Sequence, residues 1–426
     1  MPKTLPPTDD VSQQMTAKEP SGDTRSLKTL SIIIAAGWLG TNLGINVADL
    51  PLKFLLKDSL QMSPAAISAF FAIGAFTNYI KPLAGILTDA FPLFHTRRRH
   101  YLILSLSGSS ILWLMLAVVP RTHASLLSTY ALLYLTIVFT STTLGGVMVE
   151  VAGRFKAEGR FTAQRIAMFR LGSLAGGPIG GWLASFPFGW AMGAASLLHL
   201  VLVPIYMRYL PEAPTAVADS NVWNIAGEQL KAASKNRVLI GAGIMIFLIA
   251  VAPGFSTPLF FYQTDKLHFS KQFIGMLGLV GSASGLLAAI FYYRTCRRTN
   301  LRQLLVWSIT IHALGSLSYL WYHDHFSAIW ITGLGGFAAT LAMLPVYDLA
   351  VRGTPRGSEA LGYSVMMSVW NLTSALSDWT GSKIFEQLHR TFLSLVWINA
   401  GTTLIALAAI PFLPSLLLRQ KDGFSD

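Results

Sequence analysis

The chain has 426 residues, 53% of them hydrophobic and only 12% charged, with a mean hydropathy of +0.51. A water-facing domain carries about 25% charged residues, so most of this surface faces lipid, and repeated apolar runs of about 20 residues point to membrane-spanning helices rather than a barrel. The net charge of +12 does not indicate nucleic acid, because the basic residues lie in short loops between those runs, and the single cysteine, Cys296, excludes an intrachain disulfide framework and gives no metal-site spacing.

The first 27 residues are polar, lack the layout of a signal peptide and read as a cytosolic tail. Twelve apolar spans follow, near 28–56, 64–88, 101–119, 125–150, 165–187, 189–210, 237–264, 271–294, 301–322, 326–351, 359–387 and 390–416. An even number places both termini on one side. Lys and Arg decide which: 23 lie in the tails and the loops of that side, against 6 in the alternate loops. Both termini are therefore expected in the cytoplasm, at the cytoplasmic (inner) membrane. The polar stretch 211–236 separates an N-terminal six-helix bundle (28–210) from a C-terminal one (237–416), and 417–426 form a tail.

The halves echo each other. Pro51-Leu52-Lys53-Phe54, Asp58, Leu60, Ser63 and Ile67 recur with the same spacing as Pro258-Leu259-Phe260-Phe261, Asp265, Leu267, Ser270 and Ile274. Glu150 and Arg154 at the end of span four are echoed by Asp348 and Arg352 at the end of span ten. Both echoes equate span n with span n+6, a parallel repeat about an axis along the membrane normal.

Ionisable groups inside a span face a cavity or a partner, because lipid penalises them. In span one, Asn42, Asn46, Asp49 and Lys53 share one helical face. It reads as a cavity-lining stripe in which Asp49 takes up a proton, or as interhelical hydrogen bonding. Phe76, Asn78 and Tyr79 lie in span two beside Lys81. Lys81 and Arg170 are the basic residues well inside the N-terminal half, placed toward the cytoplasmic ends of spans two and five, where they either meet an anionic substrate or snorkel. The cytoplasmic charges Asp89, Arg97, Glu150 and Arg154, with Asp348 and Arg352 as their counterpart, read as a gate or as topological anchors. Gly172, Gly176, Gly177, Pro178, Gly180 and Gly181 give span five a thin face for close helix approach. In span eleven, Ser364, Ser368, Asn371, Asp378 and Ser382 form a second polar stripe, with Asp378 a further proton acceptor. Phe76, Tyr79, Phe255 and Trp370 are candidates to pack on a flat ring. The His323-Asp324-His325 run lies in a short outer loop and reads as solvated, and no nucleophile–base pair or metal-ligand cluster suggests an enzyme.

Several segments resemble the folate-biopterin transporter family of the major facilitator superfamily. They are Pro51 to Leu60 with Ser63-Pro64-Ala65, Ile80-Lys81-Pro82-Leu83, Thr88 to Phe94 leading into Arg97-Arg98-Arg99, Val149-Glu150, Pro258 to Ser270, Ser358-Glu359-Ala360 and Ser368-Val369-Trp370-Asn371. The chain departs from the family pattern at Thr143-Leu144-Gly145-Gly146, where the family commonly carries acids. The resemblance implies an all-α polytopic fold of 12 transmembrane helices in two pseudo-symmetric bundles. It also implies folate or pterin uptake by proton symport, with Lys81 and Arg170 as partners for glutamate carboxylates.

The reading that results is a monomeric secondary transporter in the lipid bilayer that alternates access of a central site, with a small-molecule substrate and protons as partners and no cofactor. Transport of another organic solute (a drug, lipid or nutrient) and a non-transporting assembly factor or sensor of the same fold are the alternatives.

Overall fold

A computed structural model describes residues 21–155, 158–210, 212, 227, 231, 235, 237–296, 298–353, 359–389 and 391–412. The expected N-terminal tail up to residue 20, most of the 211–236 stretch and the C-terminal tail lie outside these, as do the side chains of Asp89 and Arg352.

The regular elements among the described residues are helices. The N-terminal half comprises α1 (Ser21–Phe54), α2 (Pro64–Gly74), α3 (Lys81–Ala90), α4 (Arg99–Val118), α5 (His123–Arg154), α6 (Glu158–Leu183) and α7 (Phe188–Tyr209). The C-terminal half comprises α8 (Arg237–Ala250), α9 (Ser256–Phe261), α10 (Lys271–Thr295), α11 (Leu301–Leu317), α12 (His325–Gly353), α13 (Glu359–Gln387) and α14 (Phe392–Ile405). Eight helices are long and apolar enough to cross a membrane. The pair α2 and α3, bent by 45°, adds a ninth. The remaining helices, α6, α13 and the broken pair α8 and α9, fall short in length or apolarity, each for a visible reason. Helix α6 opens with the polar run Glu158 to Arg165, α13 carries the serine, asparagine and aspartate stripe, and α8 ends at Ala250 ahead of Pro253 and Gly254.

The repeat is structural as well as sequential. Helix α1 runs into a π-turn at Leu55–Ser59, and α9 into one at Tyr262–Lys266. The next helix of each half is capped by a serine of the repeat: Ser63 accepts from Ala66 N, and Ser270 from Phe273 N. Within the halves α1 packs on α6 and α7, α4 on α5 and α7, α12 on α10 and α11, and α13 on α8. Contacts between the halves are carried by α6 against α10 and by α2, α3 and the turn between them against α13. Helices thus alternate between a termini end and a far end, which carries the loops after α1 and α9.

Candidate functional site

Arg170 sits at the middle of α6, not near its end. The sequence placed it toward one end because hydropathy discounts the polar first turns, yet these are helical from Glu158 onward. Its guanidinium crosses from the N-terminal half into the C-terminal one. Nη2 donates to Thr340 Oγ1 on α12 at 3.4 Å, and a Cβ on Gly285 of α10 would come within 3.2 Å of Nη1. Around it lies a cleft of about 350 Å³ whose polar lining is Arg170, Gln263, Ser282, Thr332 and Thr340, closed by glycines of α10 and α12. That volume falls in the range of small-molecule sites, about 300–1,000 Å³. The partners described for this cation are the Thr340 hydroxyl at a long distance and, within electrostatic reach, Tyr347; neither is a carboxylate, which leaves room for an anionic ligand.

The stripe on α1 divides into two environments. Asn42 Nδ2 donates to Phe169 O (2.6 Å) and Ser173 Oγ (3.3 Å), and Asn46 Nδ2 to Asn42 O (2.8 Å). A Cβ on Gly172 would meet Asn42 Nδ2 at 2.7 Å, so these amides sit in the α1–α6 contact and not in the cleft. One turn further on, Asp49 Oδ2 holds Lys53 Nζ at 2.8 Å, and Lys53 also lies within electrostatic reach of Tyr134 and of Asp378 in the other half. In span two, Phe76–Ile80 form a 3₁₀ turn facing α13, and the Tyr79 hydroxyl bridges the bend by donating to Ala72 O at 2.6 Å. Lys81 opens α3 directly after that turn, within electrostatic reach of Arg165. Phe255 packs on Tyr319 and Phe392 at 4.8 and 5.7 Å, and Trp370 on Tyr347 at 5.9 Å.

Packing fixes the register between the halves. Gly180 of α6 lies on Val47 O, and Gly381 of α13 on Gly254 O. Val47 and Gly254 are 207 residues apart, the spacing of the Pro51 and Pro258 repeat, whereas Gly180 and Gly381 are 201 apart. By that second offset Arg170 corresponds to Asn371, and Gly177 to Asp378.

The far end is latched by residues that sequence reasoning passed over. Both repeat acids meet a lysine of the opposite half: Asp265 Oδ1 lies 2.6 Å from Lys57 Nζ, and Asp58 Oδ2 lies 4.0 Å from Lys271 Nζ. Lys57 also covers the Phe261 ring at 5.5 Å and Lys271 the Phe54 ring at 4.5 Å, while Phe54 and Phe260 meet edge-to-face at 5.0 Å. Glu386 Oε1 accepts from Ala65 N at 2.8 Å, and Gln272 Nε2 donates to Ser185 Oγ at 2.7 Å. The available signal was the duplicated segment itself, whose acids recur in both copies. Side-chain exposures of 18% for Lys57 and 38% for Asp265 limit the pair to about 1 kcal/mol. Lys57→Asp is expected to lower transport about fivefold, and adding Asp265→Lys to restore most of it; a double mutant no better than the single one removes the latch assignment.

The BT1 family profile matches residues 43–423. The chain belongs to the BT1 family. A folate-biopterin transporter of Synechocystis is 29% identical over 91% of this chain and 80% of its own length. Folate transporter 2 of Plasmodium falciparum is 25% identical over 87% and 85%. Among solved structures, the nucleoside transporter NupG superposes with a TM-score of 0.70 at 16% identity, covering 90% of this chain and 98% of its own. The D-xylose-proton symporter superposes with a TM-score of 0.64 at 15% identity, over 90% and 98%. The fold is that of the major facilitator superfamily, and this BT1 member is a membrane transporter and not an enzyme.

In this BT1 chain the contacts described for the termini-end charges stay within one half. Arg98 pairs with Glu150, with Nε and Nη2 both 3.0 Å from Oε1, and its Nη1 donates to Thr88 Oγ1 at 3.3 Å. Glu212 accepts from the backbone N–H groups of Arg97, Arg98 and Arg99 at 2.6, 2.9 and 2.8 Å, capping α4. Asp348 accepts from the Tyr292 hydroxyl at 3.2 Å, and Arg154 covers the Phe155 ring at 5.2 Å.

Proposed function

We propose that this protein takes up a folate- or pterin-type solute, a flat ring bearing anionic groups, by alternating access coupled to proton symport. The observation that carries the reading is Arg170, a cation at mid-depth between the halves with no carboxylate among its described partners. An anionic substrate supplies the missing charge, and Gln263, Ser282, Thr332 and Thr340 offer hydrogen bonds around it. The names of the BT1 relatives agree with this cargo. The excess of Lys and Arg toward the termini end supports cytoplasmic termini, which makes the far end the outer face and this conformation one that is latched outside. Asp49 and Asp378, one in each half and both near Lys53, are the proton-coupling candidates. A single chain suffices, because its own halves complete the cleft.

Purified protein in proteoliposomes is expected to accumulate labelled folate or pterin under an inward proton gradient and to lose that accumulation with a protonophore. Folded protein that accumulates neither compound removes the cargo assignment.

A further inference from the structure

Span seven is broken where its repeat in span one is continuous. Residues 251–255 separate α8 from α9, and Pro253 and Gly254 free backbone groups that would otherwise lack partners in a membrane. Their partners come from α13 and α14. Gly254 N–H donates to Ser377 O at 2.9 Å, Ser377 Oγ to Ala252 O at 2.6 Å and Asn399 Nδ2 to Pro253 O at 2.9 Å. Gly381 lies so close to Gly254 O that no side chain fits between them. The first turn of α9 is held by one carboxylate: Asp378 Oδ1 accepts from Thr257 N at 2.8 Å and Oδ2 from Thr257 Oγ1 at 2.5 Å. At the equivalent place the N-terminal half has Gly177 and an unbroken α1.

What α9 carries gives this clamp its meaning. Helix α9 and its π-turn supply Gln263 to the cleft and Phe260, Phe261 and Asp265 to the far-end latch. Of the groups that fix the break, Asp378 alone changes charge on taking up a proton. With both oxygens accepting, the ionised form fits the seated helix, and protonation weakens a charge-assisted pair.

We propose that Asp378 is a positioning residue that seats α9, so that one carboxylate sets both the lining of the cleft and the closure of the far end. The proposal deepens the proton-symport reading above and rests on it. The ionisable groups on the elements around it are Lys53 with Asp49 toward the end of α1, Tyr79 at the bend of span two, Lys81 and Asp89 on α3, Arg237 on α8, and His325, Tyr347, Asp348 and Arg352 on α12. Helix α13 itself adds Glu359, Tyr363, Lys383 and Glu386, while α2 and α14 carry none. Lys53 lies within electrostatic reach of it, a cation shared between Asp49 and Asp378.

The test reads the far end directly. Gln61 and His268 occupy equivalent exposed positions beside the latch, both with left-handed backbone (φ 51° and 52°). Spin labels on Gln61→Cys and His268→Cys, in full-length protein with Cys296→Ser, report their separation without solute or gradient. Acidification is expected to populate a longer distance, changing the open-to-closed ratio about tenfold, as loss of a hydrogen bond to a charged group does. Asp378→Asn, which keeps one acceptor and cannot ionise, is expected to flatten that response. Thr257→Val, which removes one of the two contacts, is expected to shift its midpoint and serves if the first variant does not fold. A wild-type distance indifferent to pH, or an unchanged response in either folded variant, overturns the proposal. Failure of folate or pterin accumulation with the distance response intact counts against the cargo alone.

Discussion

Arg170→Ala should reduce uptake at low solute concentration by about 30-fold or more, because removing one member of a buried charged contact costs at least ~2 kcal/mol. At the midpoint of α6 the guanidinium lies far from either end of the helix, and Gly285 leaves it room to enter the opposite half. Arg170→Lys keeps the charge but loses the planar fork that grips a carboxylate, so an intermediate loss of about tenfold is expected. Initial-rate uptake in proteoliposomes checks both, with the effect falling on KM. Wild-type kinetics in the alanine variant would show that no anionic group docks there.

A larger side chain at Gly275 should be equally damaging for a different reason. Gly177 and Gly181 of α6 meet Gly275 of α10 backbone to backbone: a Cβ on Gly275 would lie 2.5 Å from Gly177 O and 2.7 Å from Gly181 Cα. No flexible side chain can yield there, so the two helices must separate. Overpacking of this kind costs about 1–3 kcal/mol, and it falls on the far-end-shut arrangement of this structure. Gly275→Val is expected to fold, to favour the far-open state and to lose at least ~90% of uptake, with cysteine accessibility of Gln263→Cys from the far side increased. Retained uptake, or unchanged accessibility, would mean that α6 and α10 do not close during transport.

Much of this was legible in one dimension. The lipid-facing class, the two halves and the Pro51 and Pro258 repeat follow from hydropathy and spacing. That each copy packs against the other did not, since the residues that meet lie some 200 positions apart in sequence. The stripe from Asn42 to Lys53 is a true helical face, but a polar face is equally suited to water and to another helix. The glycines at 172, 176 and 180, spaced by four, were the sign that Asn42 and Asn46 would be covered by α6. Asp378 was singled out as an acid in a membrane. Its attachment to Thr257 could not be foreseen, because the break in span seven depends on partners from α13 and α14.

The break in only one copy of the repeat makes the duplicated halves mechanically unequal. The uninterrupted α1 packs along α6 and α7, whereas α8 and α9 meet at a break; the proposed seating of α9 would move that broken arm against a continuous one. A binder that grips the N-terminal bundle therefore leaves the stroke free, whereas one that splints α13 to α14 arrests it.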